Sequence, residues 1–167
     1  MGHSVQAFIA KAAVLQEAAK WLKGVHVIPL AQGYSLLPLT DELCDGVLGE
    51  KPRLDKPYWE FWRLSPELAQ FAAALSKSGP VAYIETESFS QSAILWERGS
   101  VVCGPLNGKV GPRDTMVWRI GLRFGPVNSV LRHMGVTKDG NRDEFEALGL
   151  HRYRSNSDWI EQPRRGT

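Results

Sequence analysis

The sequence predicts an α+β fold, a single domain with a largely antiparallel sheet and several packed helices. Three observations predict it. Segments with a two-residue apolar period and segments with a helical one occur side by side; pairs of strand-like segments are separated by turns too short to hold a crossover helix; and no regular strand-helix-strand alternation runs through the chain. At 167 residues the chain is long enough to bury one sizeable core, and no repeat, linker or low-complexity tract divides it.

From His3 to Ala10, Val5, Ala7 and Ile9 alternate with Ser4, Gln6 and Phe8, the period of a first strand. From Lys11 the period lengthens: Val14, Leu15, Ala18, Trp21 and Leu22 fall on one helical face, and Gly24 can end that helix. Val25 to Leu30 and Tyr34 to Leu39 flank Gln32-Gly33 as a pair of strands, which Pro29 and Pro38 confine to edges or irregular positions. Thr40 or Asp41 caps a short helix through Leu48, and the segment from Gly49 to Pro57, with two prolines, reads as a surface loop.

Trp59 to Leu64 reads as another strand. Ser65-Pro66-Glu67 then starts a helix, with a capping hydroxyl, a proline at the first helical position and an acid in the first turn; it continues through Leu68, Phe71, Ala72 and Leu75 until Gly79-Pro80. Val81 to Glu87 is a strand leading into a hairpin from Ser92 to Pro105. With Arg98-Gly99 as its two-residue turn, Trp96 faces Val101 and Ile94 faces Cys103. Asn107 to Asp114 reads as a loop, and Met116 to Phe124 fits a strand and a helical turn equally. Val127, Val130, Leu131 and Met134 share a helical face, Asp143 caps a short helix ending at Gly149, and the last residues, Arg164 and Arg165 among them, read as a frayed end.

A formal net charge of +2 is too near zero to gather nucleic acid or an anionic membrane by long-range attraction, so neither is an expected partner. No apolar run approaches the ~18 residues of a spanning helix, and no basic start leads into an apolar stretch and a cleavage site, which predicts a cytoplasmic protein. Cys44 and Cys103 are far apart and suit a reducing compartment. His3, His26, His133 and His151 lack the spacing that sets two ligands on one helix face, so neither a metal nor another cofactor is expected. Phosphate-binding glycine loops and the Gly-x-Ser-x-Gly elbow are also absent from the sequence.

Four groups of residues invite a functional reading, each beside a plainer one. Cys103 is a nucleophile if it is exposed and activated, and a core residue if it packs with Ile94 and Trp96; no basic neighbour in sequence lowers its pKa. Tyr83, Glu85 and Glu87 project from one face of a strand. The two carboxylates could divide acid and base roles, the trio could contact a basic protein partner, or the face could simply be solvated. In Tyr58-Trp-Glu-Phe-Trp62, alternation buries one set of rings and leaves another as an anchor for a partner or for a second copy of the chain. His151-Arg-Tyr-Arg154 with Arg164 and Arg165 could touch phosphates or bases, the plainer alternative being a solvated tail.

The segment VAYIETESFSQSAILWERGSVVCGP and the later DEFEALGL resemble small uncharacterised bacterial proteins, and the architecture is similar in kind to cytosolic immunity proteins that neutralise polymorphic toxins. The resemblance implies a protein-binding module, an inhibitor that neutralises a toxin by direct binding, and it assigns no residue a role. Tyr83, Glu85 and Glu87 are therefore the expected partner-binding residues on their own pattern, with a small enzyme using Glu85, Glu87 or Cys103 as the alternative.

Overall fold

The structure is a computed structural model and describes residues 3–48, 61–87, 90–109 and 125–165. The segment from Gly49 to Pro57, Tyr58 to Glu60 of the aromatic run, and Met116 to Phe124 lie outside these residues. The strands are β1 (Val5–Lys11), β2 (Ile28–Pro29), β3 (Tyr34–Pro38), β4 (Val81–Glu87), β5 (Ser90–Glu97) and β6 (Ser100–Lys109). The helices are α1 (Ala12–Trp21), α2 (Asp41–Leu48), α3 (Pro66–Leu75), α4 (Pro126–His133), α5 (Glu144–Ala147) and α6 (Asn156–Arg165). The chain thus has the predicted α+β architecture.

The strands form one sheet in the order β2-β3-β1-β4-β5-β6, and every pairing is antiparallel. β1 is central, and both of its faces are buried, because helices cover the sheet on two sides. Phe8, Leu37, Tyr83, Ile94 and Trp96 pack against Leu15, Leu43, Leu68 and Leu75 of α1, α2 and α3. Ile9, Leu36, Ile84 and Leu95 pack against Val127, Leu131 and Trp159 of α4 and α6. Alternation along β1, β3, β4 and β5 therefore separates two cores rather than a core from solvent.

Local chemistry explains most element ends. The Ser65 hydroxyl accepts from Leu68 N at 3.1 Å and Pro66 opens α3, as expected. The Asp143 carboxylate accepts from Glu146 N at 2.8 Å to cap α5. β2 carries Pro29 and is an edge strand, whereas β3 lies inside the sheet and tolerates Pro38 because it is the last residue of the strand. Arg98 (φ 53°) and Gly99 (φ 85°) make a two-residue turn with both central residues left-handed, the twist that suits a hairpin.

Three expectations need correction. Phe61 to Leu64 is a turn and not a strand. Of the segment from Asn107 to Asp114 read as a loop, residues 107–109 continue β6, and 110–114 lie outside the described residues. Cys103 lies opposite Leu95 rather than Ile94, since Val101 pairs with Trp96 and one extra residue, Val102, is accommodated before the next pair. Near the C-terminal end the chain is helical through Arg165. α6 is tied down at its first residue: the Asn156 amide accepts from Gln6 N and donates to Gln6 O and Leu39 O, each at 3.0 Å, bridging β1 to the residue that follows β3.

Candidate functional site

β4 places Tyr83, Glu85 and Glu87 on one face of the sheet, opposite Phe8 and Gln6 of β1, so the predicted grouping on a shared face is present. Their environments differ. Tyr83 is fully buried, with its ring 5.0 Å from Phe8 and 5.6 Å from Phe61, and its hydroxyl donates to Glu85 Oε1 at 2.9 Å. Glu85 is only 6% exposed. Glu87 is half-buried and accepts from Ser4 Oγ at 2.9 Å and Gln6 Nε2 at 3.4 Å.

The turn at 61–64 covers this face. Phe61 and Leu64 are buried and fix its two ends to the core beneath α1, α2 and α3. Between them the backbone turns three consecutive N–H groups toward Glu85. Trp62 N donates to Oε2 at 2.6 Å, while Arg63 N and Leu64 N donate to Oε1 at 2.7 and 3.2 Å. With the Tyr83 hydroxyl, the carboxylate accepts four hydrogen bonds, which compensate its burial.

Of the three expected partner-binding residues, Tyr83 and Glu85 are thus buried beneath a segment twenty residues earlier and bonded within the fold, while Glu87 is partly exposed. Oε1 accepts three of the four bonds and Oε2 one, all from within the fold. The same environment acts on Tyr83, whose pKa is held well above its ordinary value by burial and then by the charge and hydrogen bond of Glu85.

What the turn presents outward is Trp62. The residue is 78% exposed, although its backbone N–H is bonded to buried Glu85. Arg63 beside it reaches Asp41 of α2 at 3.5 Å, and Ser65 begins α3 directly afterwards, so the exposed ring stands on backbone held from both sides. Sequence alternation pointed to a buried and an exposed set of rings in this run; Phe61 and Trp62 are such a pair.

The remaining candidates are structural in setting. Cys103 is half-buried against the cluster that includes Leu95, on the opposite face from Ile94 and Trp96, and burial pushes its thiol pKa up, away from the thiolate a nucleophile needs. Cys44 is buried in α2. His3 bonds Thr86 Oγ1 at 2.6 Å and the Leu150 carbonyl at 3.2 Å, and burial lowers its pKa. Among the described residues no group of three or more His, Cys, Asp or Glu is arranged to hold a metal ion. His151 to Arg154 is no free tail: Tyr153 packs edge-on to Trp159 at 4.7 Å, Arg152 lies 5.5 Å over the same ring, and the Arg154 carbonyl accepts from Ser4 N at 2.7 Å. No helix of the described residues is long and apolar enough to cross a membrane. No family model, curated protein or solved structure matches the chain.

Proposed function

We propose that this chain is a protein-binding module whose contact surface is centred on Trp62. The partner in view is a toxin held by direct binding in the cytoplasm, which is what the resemblance to immunity proteins implies. One observation carries the reading: a tryptophan 78% exposed on a turn whose backbone is fixed by a buried carboxylate. A contact on a flexible loop would lose backbone entropy on binding, whereas the backbone of this turn is held beforehand. Aromatic anchors of this type dominate the energetics of protein interfaces.

The exposed share of such a ring is on the order of 150 Å², worth about 4 kcal/mol if a partner removes it from water. Trp62→Ala should therefore weaken binding by about 30-fold or more, the loss typical of an interface hot spot. The test captures partners from the native host with tagged wild-type and Trp62→Ala chains at low salt, then titrates the recovered protein against both. A partner held by the wild type and lost from the variant, at unchanged melting temperature, supports the reading. Equal affinity for both chains removes Trp62 as the contact. If the recovered partner is a second copy of the chain, mass measured against concentration will show it, and the reading changes to self-association.

The enzyme alternative draws no support from the named groups. Glu85 is 6% exposed and bonded to the turn through both oxygens, Glu87 Oε1 is bonded to Ser4 and Gln6, and burial disfavours the Cys103 thiolate.

A further inference from the structure

The indole of Trp62 and the carboxylate of Glu85 meet at a single peptide group, and this connects the surface to the interior. Three successive backbone N–H groups converging on one anion form the kind of concavity with which proteins bind phosphates and carboxylates. Here the anion comes from the chain itself. Trp62 N, Arg63 N and Leu64 N bond the two oxygens of Glu85 at 2.6, 2.7 and 3.2 Å, and none of these residues belongs to a helix or strand whose ladder could hold the turn instead.

We propose that Glu85 is the positioning residue of the contact surface: it fills this nest from within the fold and so holds Trp62 outward in the conformation a partner engages. The proposal rests on the reading of Trp62 as the contact. Glu85 itself touches no partner. It acts through the turn, and its two oxygens divide the work, Oε2 holding the peptide of Trp62 while Oε1 holds the two that follow and the Tyr83 hydroxyl. Glu85→Gln keeps the size but replaces one acceptor by an NH₂ group, which must face an N–H donor on one side of the nest or the other. The turn then loses at least one bond to an ionised acceptor.

Amide hydrogen exchange on the full chain without any partner tests the positioning directly. In the wild type the amides of Trp62, Arg63 and Leu64 should exchange at least ~100-fold more slowly than in an unstructured peptide, although they lie in a turn. In Glu85→Gln at least one of them should speed up by about tenfold or more beyond the common acceleration that lower global stability gives the amides of β1 and β4. A 5-fluorotryptophan label, assigned by loss of its signal in Trp62→Phe, should give one narrow line in the wild type and a shifted line in Glu85→Gln. Tyr83→Phe leaves the three backbone bonds in place and should leave that line where it is. If Glu85→Gln does not fold, Glu85→Asp, which retracts the carboxylate by one methylene, is read the same way. Unprotected amides at 62–64 in the wild type, or equal protection with an unmoved fluorine line in the folded variant, overturn the proposal. The two readings fail separately: a Trp62→Ala chain that keeps its partner ends the contact reading and changes nothing in the exchange measurement.

Discussion

Replacing Tyr83 with Phe deletes a single hydroxyl, fully buried and bonded to Glu85 Oε1 at 2.9 Å, and leaves the ring between Phe8 and Phe61 in place. A hydrogen bond to an ionised acceptor contributes about 1.5–3 kcal/mol. The carboxylate keeps three backbone donors after the substitution, so it is not orphaned, and the cost should fall near the lower end, about 1.5 kcal/mol. Glu85→Gln disturbs all four bonds and should cost more, about 2–4 kcal/mol, since a buried network is then only partly satisfied. Combined, the two changes should cost about 1–2 kcal/mol less than their sum, because the Tyr83 bond cannot be lost twice. Equilibrium denaturation by urea, followed by far-ultraviolet circular dichroism at neutral pH on the four chains of the cycle, measures each term. Additivity within about 0.3 kcal/mol, or a Tyr83→Phe chain as stable as the wild type, would refute the account of a shared buried network. Alkaline pH supplies an independent sign. The pKa of Tyr83 is raised by burial and by Glu85, so its contribution is present below the ordinary tyrosine value and is lost as pH rises from there through the folded value. The wild-type advantage over Tyr83→Phe should shrink in that range.

Two further predictions concern groups away from the turn. Glu144 is buried and accepts from Arg132 Nε at 2.9 Å, while its Oε2 is buried without a hydrogen-bond partner. Burial acts to raise its pKa, but the bond and charge of Arg132, its own backbone N–H and Lys138 outweigh this and leave it lowered. Arg132→Met should therefore destabilise by about 2–3 kcal/mol, somewhat less than a fully buried pair because Arg132 is partly exposed. Since the folded pKa is depressed, the stability tied to Glu144 ionisation is present above its ordinary pKa and is lost as pH falls through the folded value. Denaturation at neutral and at acid pH should show the gap between the wild type and Glu144→Gln closing on acidification; a constant gap would refute the assignment. For Cys103, alkylation in the native protein should run at least ~10-fold more slowly than in the unfolded chain at the same pH. Peptide mapping after a timed iodoacetamide pulse measures it, and equal rates would show the thiol to be more open than its packing indicates.

The fold was legible wherever local chemistry and period agreed. Ser65-Pro66-Glu67 announced α3 because a cap, a fixed φ and a first-turn acid all point to one residue as the helix start. Arg98-Gly99 served as the hairpin turn although Asn-Gly is the preferred pair, because the strands on either side left only two residues to connect them. The partner of Cys103 was not legible. A bulge adds one residue to a strand without any change in its apolar pattern, so the expected and the observed registers start from the same letters and diverge after Val101. α6 was missed for a different reason: NSDWIEQPRR is polar with a proline near its end, and what holds it is the Asn156 clasp on Gln6 and Leu39, more than a hundred residues away in sequence from either.

The site shows the same limit more sharply. Tyr83, Glu85 and Glu87 were correctly grouped on one face, since strand geometry alone decides that. Whether the face is wet is decided elsewhere. A glutamate two residues from a tyrosine has the same spacing on an open sheet edge and beneath a turn, and only a segment able to offer three free N–H groups makes burial tolerable. Such donors come from residues outside regular hydrogen-bonded ladders, and reading Trp59 to Leu64 as a strand assigned their N–H groups to a neighbouring strand. The error about the turn and the error about the carboxylate were therefore one error. With the backbone donors of 62–64 unclaimed by a ladder, the buried carboxylate of Glu85 accepts from all three and Trp62 faces outward.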